Sequence, residues 1–228
     1  MNLLALDAAT EACSVAIKTE DKVIGYYEVC PQQHSQKLLP AVENLLNESS
    51  LTLDDFDGIL YGCGPGSFTG VRIGVSITQG LAFGADLPVL GVSNLALMAQ
   101  QAIDDLNAPQ VIAAIDARMS EVYFAIYDNV DGKAVARVKD VVCKPEEINI
   151  ESSKVLDGAV SVGTGWETYN DILSDKFNVK STDILLPNVK YGFKLVETEF
   201  KNGEGLPAEL AQPNYVRDEV TWKKLPGR

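Results

Sequence analysis

Residues 3–8 read Leu-Leu-Ala-Leu-Asp-Ala, an apolar run that meets an aspartate at its end. That is the pattern of a short strand buried on both faces. Residues 13–18 and 23–29 predict two further strands, with Asp21 and Lys22 as the turn between them, so the chain opens as a β-meander. Leu38, Leu39, Val42, Leu45 and Leu46 then recur at i, i+1, i+4, i+7 and i+8, one wide apolar stripe of a helix. Pro40 lies inside that stripe and predicts a late start or a kink. A short helical turn at 54–56 and a strand at 58–61 lead into Gly64-Pro65-Gly66-Ser67-Phe68-Thr69-Gly70. After this loop Val71, Ile73, Val75 and Ile77 alternate like a strand, while Ile73, Ile77 and Leu81 repeat like a helix. The length to Phe83, the capping residues Ser67 and Thr69, and Gly84 as a stop favour the helix. A strand at 88–92 and a helix at 94–106 follow.

A second half begins near Pro109. Strands are predicted at 111–115, 122–127, 133–142 and 160–163, with helices from 166 to 173 and 191 to 200. Each half starts with a strand ending in aspartate, Asp7 and Asp116, followed by a strand pair. The expected fold class is therefore α/β, with mixed sheets and flanking helices. The division expected is 1–108 as an N-terminal lobe, 109–212 as a C-terminal lobe, and 213–228 as a tail packing back on the first.

Charge and composition narrow the function. The 228 residues carry 32 Asp plus Glu against 19 Lys plus Arg, a net charge of −13. That balance argues against unaided binding to nucleic acid or to an anionic membrane, both of which need a basic surface. No apolar run approaches the ~18 residues that span a bilayer. Met1 and Asn2 lead straight into a strand without a basic leader, and a soluble cytoplasmic protein is expected. Cys13, Cys30, Cys63 and Cys143 form no CxxC pair and are expected reduced. His34 is the single histidine, so a multi-histidine metal centre is excluded and no metal site is expected. A capping or surface role is expected for His34.

Two motifs carry candidate chemistry. The closely spaced glycines of 64–70 permit either a tight structural turn or a backbone cradle for an anion at a helix N-terminus. The loop lacks the Gly-Lys-Ser/Thr of a Walker A motif. Asp7, followed by Ala8, Ala9 and Thr10, either organises Mg²⁺ through water or caps the N–H groups of its own loop. The acidic stretch around Glu43, Glu48, Asp54, Asp55 and Asp57 is a solvated face or a mate for a basic partner.

Several stretches together resemble one family. They are residues 7–17 (Asp-Ala-Ala-Thr-Glu-Ala-Cys-Ser-Val-Ala-Ile), Gln33-His-Ser-Gln-Lys-Leu-Leu-Pro40, Gly62-Cys-Gly-Pro-Gly-Ser-Phe-Thr-Gly-Val-Arg-Ile-Gly74 and Pro213-Asn-Tyr-Val-Arg217. These resemble the bacterial TsaB family, also called YeaZ, from residue 3 to the C-terminus. The resemblance implies a two-lobed actin/sugar-kinase/Hsp70-like (ASKHA) fold. It implies a role in making threonylcarbamoyladenosine beside the tRNA anticodon, as the non-catalytic paralogue and scaffold of TsaD, with TsaE as a further partner. It also implies a homodimer when alone, and tRNA contact made through partners with help from Arg217, Lys223 and Lys224.

Proteins like TsaD carry a His-x-x-x-His metal pair where this chain has Asn94 and Met98, neither a good ligand for Fe²⁺ or Zn²⁺. The family's partner surface is carried by its first two helices, here 35–48 and 67–84. Both helices hold more apolar residues than one buried face needs, so Leu39, Val42, Leu46, Phe68, Val71, Arg72, Val75 and Thr78 are expected to meet the partner. Asp7, Thr10, Gly64, Gly66, Ser67, Gly163 and Gly165 are expected to form a degenerate nucleotide or anion site. No cofactor is expected, with nucleotide binding confined to a complex with partners. The competing expectation is an ATP-dependent phosphotransferase or ATPase of the same superfold. A protease acting on TsaD is the weaker third.

Overall fold

The structure, a computed structural model, describes residues 1–149 and 155–216. The first half supplies β1 (Leu3–Asp7), β2 (Ala12–Lys18), β3 (Val23–Val29), α1 (His34–Ser49), β4 (Gly58–Gly64), α2 (Phe68–Gly84), β5 (Val89–Ser93) and α3 (Asn94–Leu106). The second supplies β6 (Gln110–Asp116), β7 (Val122–Val130), β8 (Lys133–Cys143), β9 (Val160–Val162), α4 (Gly165–Thr168), α5 (Asn170–Lys176) and α6 (Phe193–Lys201).

The first sheet has the order β3-β2-β1-β4-β5 and the second β8-β7-β6-β9. In both, the leading strand pairs antiparallel with the next and parallel with a later one. Leu3 faces Lys18 and Asp7 faces Ser14 across β1 and β2, while Leu4 faces Ile59 across β1 and β4. In the second sheet Gln110 faces Asp128 and Asp116 faces Val122. The continuous apolar run of β1 has its reason here: the strand is central and covered on both faces. Leu4 and Leu6 face a core closed by α1 and α2. Leu3 and Ala5 face a second core that α3 shares with Val111, Ala113 and Ala125 of the other sheet.

Helix α1 turns His34, Leu38, Ala41, Val42 and Leu45 to its core. It begins at His34 and continues through Pro40, which corrects the expectation of a late start. Pro40 sits on the exposed side of the helix. The ambiguous segment after the glycine loop is helical throughout, with Ser67 as N-cap accepting from the Gly70 N–H at 3.4 Å. Its period-two alternation describes no face, because Val71 and Val75 are buried while Ile73 and Ile77 are only partly so.

Helix α3 is enclosed by both sheets, and every side chain from Asn94 to Gln100 is buried. Its N-cap Ser93 donates to Asp140 Oδ2 at 2.6 Å, and Tyr127 donates to Asp140 Oδ1 at 2.8 Å. The halves are thus joined by a common core and a half-buried polar clamp. The chain crosses from one sheet to the other at 107–109 and later returns. The Val189 N–H donates to Ser14 Oγ at 3.1 Å, and Leu206 bridges to Val89. Val189 and Leu206 thus meet strands of the first sheet.

Candidate functional site

The turn between β1 and β2 lies directly beneath the glycine loop and α2. A Cβ on Gly66 would stand 2.1 Å from the Ala9 carbonyl oxygen, and one on Gly70 would stand 2.2 Å from that of Ala8. The Ser67 N–H donates to the Ala9 carbonyl at 2.6 Å. These glycines therefore allow a close approach of two backbone segments, the structural one of the two readings their spacing permits.

Asp7 is sealed under this lid and is 0% exposed. Its Oδ1 accepts from the Ala9 N–H at 3.2 Å and from Asn94 Nδ2 at 2.9 Å. Its Oδ2 has no partner among the described residues. Burial raises its pKa from 3.8 to about 6, outweighing the hydrogen bonds from Asn94, Ala9 and Ala8 that lower it. A Cβ on Gly62 would lie 2.0 Å from Asp7 Oδ1, so glycine at 62 makes room for the carboxylate. Asn94 joins the two motifs, since its Oδ1 accepts from the Gly64 N–H at 2.9 Å. Gly64 itself has φ +99°. The role of Asn94 as a tie between Asp7 and Gly64 was not legible in sequence, because residues 7, 64 and 94 are far apart in the chain.

A cleft of about 830 Å³ opens between the lobes. Ala9, Thr10, Glu11, Gly66, Ser67 and Phe68 form one wall; Asp116, Ala117, Arg118, Tyr123, Thr164 and Thr168 form the other. Asn214, Tyr215 and Val216 complete the rim. Thr10 and Ser67 thus reach the cleft, whereas Asp7 does not line it. Arg118 bridges the mouth, 3.2 Å from Asp116 and 3.7 Å from Glu11. Arg118, Met119 and Ser120 hold φ of 62°, 56° and 60°, three consecutive left-handed residues at the tip joining β6 to β7. Gly163 and Gly165 are set by packing, since a Cβ on either would meet the Ala114 carbonyl oxygen, at 2.2 and 2.9 Å.

The two positions set against a metal-binding histidine pair have other occupations. Asn94 holds Asp7 and Gly64, and Met98 is buried in the core between the sheets. Among the described residues no group of three or more His, Cys, Asp or Glu side chains is arranged to hold a metal ion. His34 is buried, which corrects the expected surface or capping role; the N-cap position of α1 belongs to Gln33. Its Nε2 has no partner among the described residues. Cys13 and Cys30 are buried free thiols, and burial pushes Cys13 and Cys63 up to about 12.

The expected partner residues divide. Leu39, Phe68 and Arg72 are exposed and Leu46 is half-buried. Val42, Val71, Val75 and Thr78 are interior to the first lobe, which corrects the expectation that they face outward. The sheet and the Ala8–Ala9 turn occupy the side of α2 that carries Val71, Val75 and Thr78, and Val42 lies on the core side of α1. The outward face of α2 instead runs through Arg72, Ser76, Gly80 and Phe83, the last 79% exposed. Residues 211–216 lie along this lobe. Gln79 Nε2 donates to the Ala211 carbonyl at 3.0 Å, the Gln212 N–H to Tyr61 Oη at 2.9 Å, and the Asn214 N–H to the Cys63 carbonyl at 2.7 Å. Arg217, Lys223 and Lys224 lie outside the described residues.

Two sheets, each led by a central strand ending in aspartate, paired antiparallel on one side and parallel on the other, with a cleft between them, define a two-lobed ASKHA-type fold. The TsaD family, described as tRNA N6-adenosine threonylcarbamoyltransferase, matches residues 26–202. The tRNA threonylcarbamoyladenosine biosynthesis protein TsaB of Escherichia coli K12 is 43% identical over the whole of both chains. The Haemophilus influenzae protein of the same name is 42% identical over all of this chain and 98% of its own. The structure of YeaZ from Pseudomonas aeruginosa superimposes with a TM-score of 0.87 at 41% identity, over 94% of this chain and 99% of that one. The chain belongs to the TsaB (YeaZ) family, a paralogous branch of the TsaD family.

Proposed function

We propose that this chain serves tRNA threonylcarbamoyladenosine biosynthesis as a subunit without chemistry of its own. It binds and orients a TsaD-type transferase, which moves the threonylcarbamoyl group to adenine. TsaE joins the larger assembly, and the chain pairs with itself when TsaD is absent. The observation that carries the non-catalytic reading is the burial of Asp7. A carboxylate that served Mg²⁺ and a nucleotide would have to reach the cleft. Here Asp7 is fully enclosed, with the glycine loop seated on the turn that follows it. The names of the full-length relatives support the pathway. The net charge of −13 supports tRNA contact through partners. No helix among the described residues is long and apolar enough to cross a membrane.

The test mixes the purified chain with TsaD of the same organism. Mass is followed by light scattering during gel filtration, and threonylcarbamoyl transfer to tRNA is assayed with and without the chain. A one-to-one complex, with transfer only in the mixture, is the expected result. No complex under any nucleotide condition overturns the reading. ATP turnover by the isolated chain that Asp7→Asn abolishes would establish the phosphotransferase or ATPase reading instead.

A further inference from the structure

Arg72 is the only basic residue between positions 38 and 117, a span with nine acidic ones. It nevertheless takes none of those carboxylates. Arg118 and Arg137 pair with aspartates, whereas the Arg72 guanidinium lies on the Phe68 ring, 3.5 Å from its centroid. Its Nε donates to Tyr215 Oη at 2.9 Å, and the Tyr215 ring stands 6.0 Å from that of Phe68, centroid to centroid. Tyr215 comes from the C-terminal segment, anchored next door by the Asn214 N–H on the Cys63 carbonyl. Phe68 and Tyr215 are about half exposed, at 55% and 50%, and Arg72 is exposed with them.

An arginine in this setting is fixed in a way that exposed arginines generally are not. One face of the guanidinium is taken by Phe68 and the Nε–H by Tyr215. Among the described residues none takes the N–H groups of the two Nη atoms, which lie in the planar fork that matches a carboxylate. Stacking removes rotamer freedom before any partner arrives, so less is lost when one binds. Exposed arginine and tyrosine gathered at one place are also the residue types that dominate protein interfaces. Among the described residues no carboxylate meets this free edge, and the group it lacks is an anion.

We propose that Arg72 receives a carboxylate side chain from the protein partner, with Tyr215 as the positioning residue that holds the guanidinium for it. This rests on the proposed function, because the partner is the TsaD-type subunit. It adds the chemical group recognised, and it gives the C-terminal segment a part in recognition at the first turn of α2. Tyr215 acts only through Arg72, so its contribution is conditional on the arginine.

The experiment measures association of the full chain with TsaD of the same organism by biolayer interferometry. The variants are Arg72→Ala, Arg72→Lys, Tyr215→Phe and the Arg72→Ala/Tyr215→Phe pair. Loss of a desolvated, hydrogen-bonded charge pair predicts about thirty-fold weaker binding or worse for Arg72→Ala, mainly through faster dissociation. Arg72→Lys keeps the charge without the flat fork and is expected to recover less than about ten-fold of that loss. Tyr215→Phe keeps the ring and removes the acceptor. It is expected to weaken binding about three- to ten-fold in the wild-type background and not at all beside Arg72→Ala, the non-additivity of a shared interaction. Unchanged thermal midpoints of the isolated variants separate positioning from damage to the fold. Wild-type affinity in Arg72→Ala overturns the carboxylate contact alone. A Tyr215→Phe loss that persists in the double variant overturns the positioning role. No complex with the unaltered chain overturns the proposed function and this inference together.

Discussion

Replacing Asp7 with asparagine removes an ionisable group that the fold holds at a cost. The carboxyl is fully buried, one oxygen has no partner among the described residues, and its pKa rises from 3.8 to about 6. At 1.36 kcal/mol per pKa unit, the ionised form costs the native state about 3 kcal/mol. The sign follows from proton binding. Below pH 3.8 the group is protonated in both states and contributes no penalty. Between 3.8 and about 6 the unfolded chain releases its proton first, so the native state binds more protons and stability falls as pH rises. Above about 6 the penalty is complete and constant. The asparagine of Asp7→Asn would keep an oxygen for Asn94 and the Ala9 N–H but place an amide NH₂ where Oδ2 has no partner, a pH-independent offset. The absolute sign of the substitution therefore matters less than its slope. Urea unfolding followed by circular dichroism, at one protein concentration from pH 4 to pH 8, gives the difference between variant and wild type. That difference is expected to move by about 2.5 kcal/mol in favour of the variant, most of it between about pH 4 and pH 6.5. Groups shared by both proteins cancel, including Glu197, which hydrogen bonds from Lys18 and Lys201 hold down to about 2. A difference that stays flat across the range would refute the buried, ionisable Asp7.

Other substitutions separate packing from recognition. Asn94→Ala leaves Asp7 and the Gly64 N–H without their shared partner, at a cost of about 2–4 kcal/mol in urea unfolding. Because Asn94 lowers the Asp7 pKa, the cost is expected to be greater at pH 8 than at pH 5. Val75→Glu puts an unpaired charge into the core at a 5% exposed position, so circular dichroism is expected to show a loss of about 3–5 kcal/mol or outright unfolding. A folded Val75→Glu chain that merely fails to bind its partner would place Val75 on the surface. Gly80 has nothing within 4 Å of a Cβ, so Gly80→Ala is expected to raise monomer stability by about 1 kcal/mol through helix propensity. The same variant is expected to bind TsaD more weakly if the partner packs on this face of α2, which interferometry reads directly.

The strand and helix positions were legible because local periodicity reports them. The all-apolar β1 read as a central strand, and the aspartates ending β1 and β6 marked the two sheets. The glycine block at 62–74, with Pro213 to Arg217, pointed to the family. The net charge of −13 argued against an unaided nucleic-acid surface without reference to any coordinate. Periodicity failed where the question was which side of a helix the sheet occupies. A stripe wider than one buried face does not say which of Val75 and Phe83 turns inward, and the answer came from the Ala8–Ala9 turn lying against α2. The same held for Asp7. Its chemistry as a cleft carboxylate or a buried acid depended on a lid supplied by the distant glycine loop around Gly66 and Gly70. Asn94 and Tyr215 acquired their contacts, to Asp7 and Arg72, only when distant segments met. Sequence by itself determined what each segment is, because helix and strand patterns arise from neighbouring residues. Burial, close approach and the pairing of remote polar groups were decided by the tertiary structure, because they depend on which segments share a volume from which water is excluded.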